Sequence, residues 1–249
     1  MTKLKFTGLM VLLGMGLAGS LPASVLLSVG ATNNIFSAGQ AGQTAQELDF
    51  VPVAGNILTF QRPGFGSPST VVTSPLSPCA ACPTASSADG ANLGSAAPAT
   101  SISSSGTNLS PIQFTGIQMF LVAVFLGPSL PGSQVASIGD YGAGGALSAN
   151  LATYSPLLGQ TFFVGDGVTG TGSGTIQQFV VPTGATRLFL GFADALMFVG
   201  QAGMFSDNTG SADAWVQIQP AAATPEPGTF ALLALGLAGL ALGRKKLFA

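Results

Sequence analysis

The sequence predicts an all-β protein built as an antiparallel β-sandwich or jelly roll. Three observations point there. Short apolar runs recur between turn signals, charged residues make up only 6% of the chain with histidine absent, and no stretch of the body keeps a 3.6-residue hydrophobic period. Gly, Ser, Thr, Ala and Pro cut such a chain into short strands rather than long helices. With 249 residues, 47% of them hydrophobic, the chain can bury the core of one domain of ordinary size. Its surface has to be solvated by Ser, Thr, Asn, Gln and backbone, as in exported β proteins.

The first element is a helix of a different kind. "MTKLKFTGLMVLLGMGLAGSLPAS" has a basic start at Lys3 and Lys5, an apolar run from Leu9 to Ala18, and small residues up to Ala23 and Ser24. This is the order of a secretory signal peptide, assigned to residues 1–23, with an uncleaved N-terminal anchor as the alternative. Val29-Gly30-Ala31 also fits the small-residue rule, but cutting there would discard a good first strand.

The exported body, residues 24–220, then reads as strands in sequence: "SVLLSVGA", "NILTF", "TVVT", "GIQMFLVAVFLG", "QTFFVG", "IQQFVV", "TRLFLGF" and "DAWVQI". Apolar residues alternate in "IQQFVV" and "TRLFLGF", as in half-buried strands. "MFLVAVFL" is apolar throughout and is expected to be a central strand covered on both faces; as a helix it would be too short to span a bilayer. Residues 63–111 are rich in Ser, Pro, Ala, Gly and Thr and are expected to form a long irregular surface loop. Within that loop Cys79 and Cys82 are the only cysteines. In an exported chain they are expected to pair as a local disulfide. A zinc site would need two more ligands, and a redox centre would need a helix after the motif.

Charge excludes several functions. Between residues 24 and 223 the only cations are Arg62 and Arg187, against eight acids, a net of −6. Such a body does not track nucleic-acid phosphates. No histidine base exists, no serine triad can be drawn, and nothing pairs two acids across a cleft, so no enzymatic activity is expected. "GDGVTGTGSG" is glycine-rich but lacks the lysine and helix of a phosphate loop. It reads as a hairpin connection, with Asp166 as a secondary candidate for a cation.

Acids on a neutral surface can hold a hard cation, and one stretch suits that. "VVPTGATRLFLGFADALMFVGQAGMFSDNTGSADAWVQI" runs strand, Asp194, loop, "GMFSDNTGS", strand. This order is similar to the calcium-dependent galactose-binding lectin family of bacteria, whose Gly-x-x-x-Asn-Asn-x-Gly-Ser turn Gly203 to Ser211 matches in register. The resemblance implies calcium ligands from the side chains of Asp194, Asp207 and Asn208 and the carbonyl of Met204, with sugar hydroxyls completing the shell. Calcium takes six to eight oxygens of these kinds. The chain departs from the family in the longer, apolar loop with Leu196, Met197, Phe198 and Val199, and its first ligand, expected near residues 62–67, has no clear match. The same Asp-Asn-Thr-Gly also suits an ordinary turn.

The tail, residues 221–249, has three parts. Pro225-Glu226-Pro227 cannot continue a strand. Residues 230–243 are small or apolar throughout and short for a membrane helix. Arg244, Lys245 and Lys246 form a cytoplasmic stop under the positive-inside rule. This order resembles the PEP-CTERM sorting signal of Gram-negative bacteria that make exopolysaccharide. The resemblance implies an exosortase, a membrane protease, as partner. It also implies transient inner-membrane anchoring by the short apolar helix, then delivery to the cell surface or extracellular matrix. A permanent tail anchor is the alternative. Together these readings predict an exported, non-enzymatic, lectin-like protein that binds extracellular polysaccharide through calcium. The alternative is a structural surface or matrix protein with no specific ligand.

Overall fold

Strand pairing sets the most apolar run of the chain in the middle of the molecule. The computed structural model describes residues 23–48, 53–62, 70–79, 82–92, 99–102, 107–139, 141, 149–170, 174–194, 205–220 and 235–236. In chain order the strands are β1 Ala23–Gly30, β2 Gln46–Glu47, β3 Ile57–Phe60, β4 Thr70–Ser77, β5 Ala91–Asn92, β6 Ala99–Ile102 and β7 Ile112–Thr115. There follow β8 Ile117–Gln118, β9 Phe120–Leu126, β10 Thr153–Tyr154, β11 Thr161–Phe163, β12 Gln178–Val180, β13 Arg187–Ala193 and β14 Thr209–Gln219. One 3-10 turn, Ile35–Ser37, is capped by the Asn34 side chain, which accepts from the Phe36 N–H. The class is all-β.

Two sheets dominate. The larger runs β1-β14-β3-β12-β10, with β4 on β14 beside β3; the smaller runs β11-β9-β13-β2. Two ribbons, β5-β8 and β6-β7, flank them. β14 is the organising strand of the larger sheet: it pairs along its length with β1 on one side and with β4 and β3 on the other. Its alternate residues Ala212, Ala214 and Val216 are buried, while Asp213, Trp215 and Gln217 on the other face are only partly covered. Period-two burial of this kind is what a half-covered strand dictates.

Aromatic rings tie the layers together. Phe162 of β11 lies 5.2 Å from Phe179 of β12, which joins the two sheets across the core. Phe125 stacks on Phe162, and Phe60 and Tyr154 pack on Phe179. On the opposite face of the smaller sheet, Phe120 and Phe163 meet Phe114 of β7. Strand β9 is thus covered on both sides, and all seven of its residues are buried. Full burial of a side chain such as Phe contributes about 1.5–3 kcal/mol, so these rings form the main apolar anchor of the fold.

Some expectations need correction. The pair β10-β12 is parallel, so the sheet is not wholly antiparallel. The run "GIQMFLVAVFLG" is not one strand: Met119 adopts a left-handed φ of 56° and separates β8 from β9. Residues 63–111 are not a long irregular loop: the expected strand "TVVT" extends to Ser77 as β4, and the described part also carries β5 and β6. Strand pairing uses backbone groups, so a Ser- and Pro-rich composition did not prevent Thr70–Ser77 from joining β14. The cost shows as two register shifts at Ser211, where Gly210, with φ +104°, leaves room for the Pro75 carbonyl that a Cβ would approach to 2.2 Å. In the same segment Cys79 and Cys82 are joined as a disulfide, with Cα atoms 5.1 Å apart. Of the signal peptide assigned to residues 1–23 only Ala23 is described, as the first residue of β1, and of the apolar helix 230–243 only residues 235–236 are described, which are helical. Among the described residues no helix is long and apolar enough to cross a membrane.

Candidate functional site

One end of β13 and one end of β14 meet where β1 hands over to the next loop. β13 is apolar through Ala193, and Asp194 is the first residue past it. Asn208 is the residue just before β14, held by a turn in which its N–H donates to the Phe205 carbonyl at 3.3 Å. The Asn208 Nδ2 donates to the Ala31 carbonyl at 3.1 Å, and the Ala31 N–H donates to the Gly210 carbonyl at 3.0 Å. These bonds lock the turn before β14 to the exit of β1.

The third side of the site comes from residues 31–45. The Phe192 N–H donates to the Asn33 carbonyl at 2.7 Å, and Asn34 forms a bridge with Phe192. This approach is possible because residue 191 is glycine: a Cβ there would stand 2.6 Å from the Asn33 carbonyl oxygen. Ser37 holds the loop closed, its hydroxyl donating to the Asn34 carbonyl and accepting from the Thr44 and Ala45 N–H groups. Between this loop and the Phe205–Ser206 turn lies a cleft of about 270 Å³, lined by Thr32, Asn34, Ser37 and Thr44 among others.

The electrostatics are those of an incomplete polar site. Asp194 and Asn208 are each only 5% exposed. Asp194 Oδ1, Asn208 Oδ1 and Asn34 Nδ2 find no hydrogen-bond partner among the described residues. A buried polar atom without a partner costs about 1–3 kcal/mol, so three in one neighbourhood call for an explanation. Burial pushes the Asp194 carboxyl up to about 7; the Asn208 amide, hydrogen-bonded to it, pulls it down, and the negative charge of Asp207 raises it further. Asp207 itself is exposed. Of the residues singled out by sequence, Asp194, Asp207 and Asn208 are therefore brought to one place, and Met204 lies outside the described residues.

Asn34 was missed by sequence reasoning. Its only signal was the Asn33-Asn34 pair directly after the first strand, which reads as turn chemistry until β13 is laid beside it. Asp166, the secondary candidate, has another role. It is buried; its N–H donates to Asp89 Oδ1 at 2.9 Å and its own Oδ1 accepts from the Val168 N–H at 3.1 Å. Burial raises the Asp89 carboxyl, while bonds from Asp166 and Ser87 lower it. The pair staples the turn after β11 to the segment before β5. Among the described residues no three acidic or cysteine side chains are grouped together.

A family description, the PEP-CTERM protein-sorting motif, matches residues 223–246. It covers Pro225, Glu226, Pro227, the apolar run and Arg244, Lys245 and Lys246, and it marks the chain as an exported protein processed by an exosortase at the membrane. Neither curated proteins nor solved structures gave a match to the chain.

Proposed function

We propose that the exported domain is a non-enzymatic, lectin-like protein that binds extracellular polysaccharide through a calcium ion held by Asp194, Asp207 and Asn208. The observation that carries this reading is a pair of buried acceptor oxygens, Asp194 Oδ1 and Asn208 Oδ1, that find no hydrogen-bond partner among the described residues, on two side chains bonded to each other, with a second carboxylate at the neighbouring Asp207. Carboxylate and amide oxygens are the donors calcium prefers, so the residues present fit the ion. A bound calcium would neutralise the two acids and accept sugar hydroxyls in place of water. The chain's own part is to fix the oxygens: β13 and β14 set the spacing, Ala31 orients the Asn208 amide, and the loop 31–45 walls off one side.

Thermal melts with excess calcium and with chelator test the reading. Calcium at about 100 times its Kd should add about 2.7 kcal/mol, a rise of roughly 5–10 °C for a domain near 200 residues. Asp207→Ala should abolish both the rise and the glycan-array signal, because Asp207 is exposed and its loss leaves the core intact. Identical melts for the parent in both conditions would leave a structural surface protein with no specific ligand as the better reading.

A further inference from the structure

The strand pairing fixes the pole of the domain from which the sorting tail departs. β14 ends at Gln219, four residues before the matched sorting motif begins, and Ile218 stands directly opposite Ala23 of β1. Whatever precedes β1 and whatever follows β14 therefore leave from the same pole. From Gln219 to Pro225 the chain spans at most about 20 Å. β14 itself, at 11 residues, is about 35 Å long. While an enzyme at the membrane surface holds Pro225-Glu226-Pro227, this tether keeps the near pole within about 20 Å of the site of processing and the far pole further off.

The two poles differ in chemistry as this placement would require. The near pole carries the turn at Val53, because Ile57 pairs with Gln219 and the Gly55 N–H bonds to the Val181 carbonyl. It also carries the turn at Leu157, because the Gly159 N–H bonds to Phe125 near the end of β9, where Leu126 pairs with Arg187. Val53 is 58% exposed and Leu157 is 63% exposed, the two most exposed large apolar residues of the described body. Arg187, one of its two cations, starts β13 here. The acids lie elsewhere: Asp194 and Asp207 are at the far pole, Asp213 is mid-way along β14 opposite Ser28, and Asp89 and Asp166 sit beside Leu121, near the start of β9. Among the described acids only Glu47, opposite Phe189, belongs to the near half.

We propose that the pole bearing Val53 and Leu157 is a lipid-contacting surface, resting on the bilayer that holds the tail, and that the acidic pole is presented outward. Apolar side chains on turns can enter the headgroup region, while carboxylates are repelled by anionic lipid. The arrangement is independent of whether the far pole binds calcium.

The full-length chain, reconstituted through its tail into phosphatidylcholine–phosphatidylglycerol vesicles, tests this. Its native cysteines are bonded to each other, so one introduced thiol can be labelled alone. Val53→Cys, Leu157→Cys and Ser74→Cys each take an environment-sensitive fluorophore, Ser74 being an exposed residue opposite Ser211 at the far end of β14. Brominated lipid should quench the label at positions 53 and 157 and leave position 74 bright. Quenching at all three, or at 74 alone, overturns the orientation. Absence of quenching at both 53 and 157 overturns lipid contact. All three positions are at the surface, so the labels leave the core packing untouched.

Discussion

Replacing Asp194 by asparagine keeps the side chain's shape and deletes its charge, which isolates the energetic core of the site. The carboxyl is buried and pushed up to about 7, against an unfolded value of about 3.9. Between those limits the folded protein keeps a proton that the unfolded chain has released, so stability falls as pH rises. The favourable contribution is full below about pH 4 and is gone once pH has passed the folded value. Each pKa unit corresponds to about 1.36 kcal/mol, so the parent should lose on the order of 4 kcal/mol between pH 4 and pH 8 in chelator. Asp194→Asn should lack that component. Calcium competes with the proton for the same oxygens, so its stabilisation of the parent should grow with pH and be small near pH 5. Urea unfolding of both proteins across this range, with chelator and with calcium, is the assay. A parent-minus-variant difference that does not change with pH would refute the burial argument. A calcium effect that is equal at pH 5 and pH 8 would refute the competition.

Three further outcomes follow from other parts of the molecule. Gly191→Ala should destabilise by about 1–3 kcal/mol, because its Cβ would press on the Asn33 carbonyl and the Ile35 backbone; unchanged thermal unfolding would contradict the packing. The double variant Cys79→Ser, Cys82→Ser should lose only about 1–2 kcal/mol, since the bridge spans a sequence separation of 3. A denaturation curve shifted by much more would give the bridge a larger role than loop closure. Glu226→Ala should leave unprocessed chain in the membrane fraction. Intact-mass analysis of secreted protein decides this one, and the tail still attached to released parent protein would sink it.

Much of the frame was legible because local chemistry decides it. The runs at Leu58–Phe60, Phe120–Leu126 and Leu188–Phe192 are apolar at strand period and went to the core. Asp194 and Asn208 could be paired because each stands at the end of such a run. Asn34 could not, since its place beside Phe192 depends on a contact across more than 150 residues of chain that only Gly191 permits. The second half of β4, beyond "TVVT", and the strands β5 and β6 were hidden for a related reason. Their partners β14, β8 and β7 supply backbone groups, and backbone pairing leaves no mark on side-chain composition. Asp166 looked like a free loop acid and proved to be a buried staple, because the carboxylate of Asp89 that receives its N–H is 77 residues away in sequence.

The sequence by itself determined the address and the class. A sorting motif is read by a membrane enzyme as a linear string, and strand-length apolar runs with few charges have one economical solution in water. Tertiary structure alone decided that the turn before β14 is tied to the exit of β1, and from which pole the sorting tail leaves. Both depend on β14, the last strand, lying between β1 on one side and β3 and β4 on the other. That register is set by burying Ala212, Ala214 and Val216 against the core, a choice made by long-range packing rather than by any neighbouring residue.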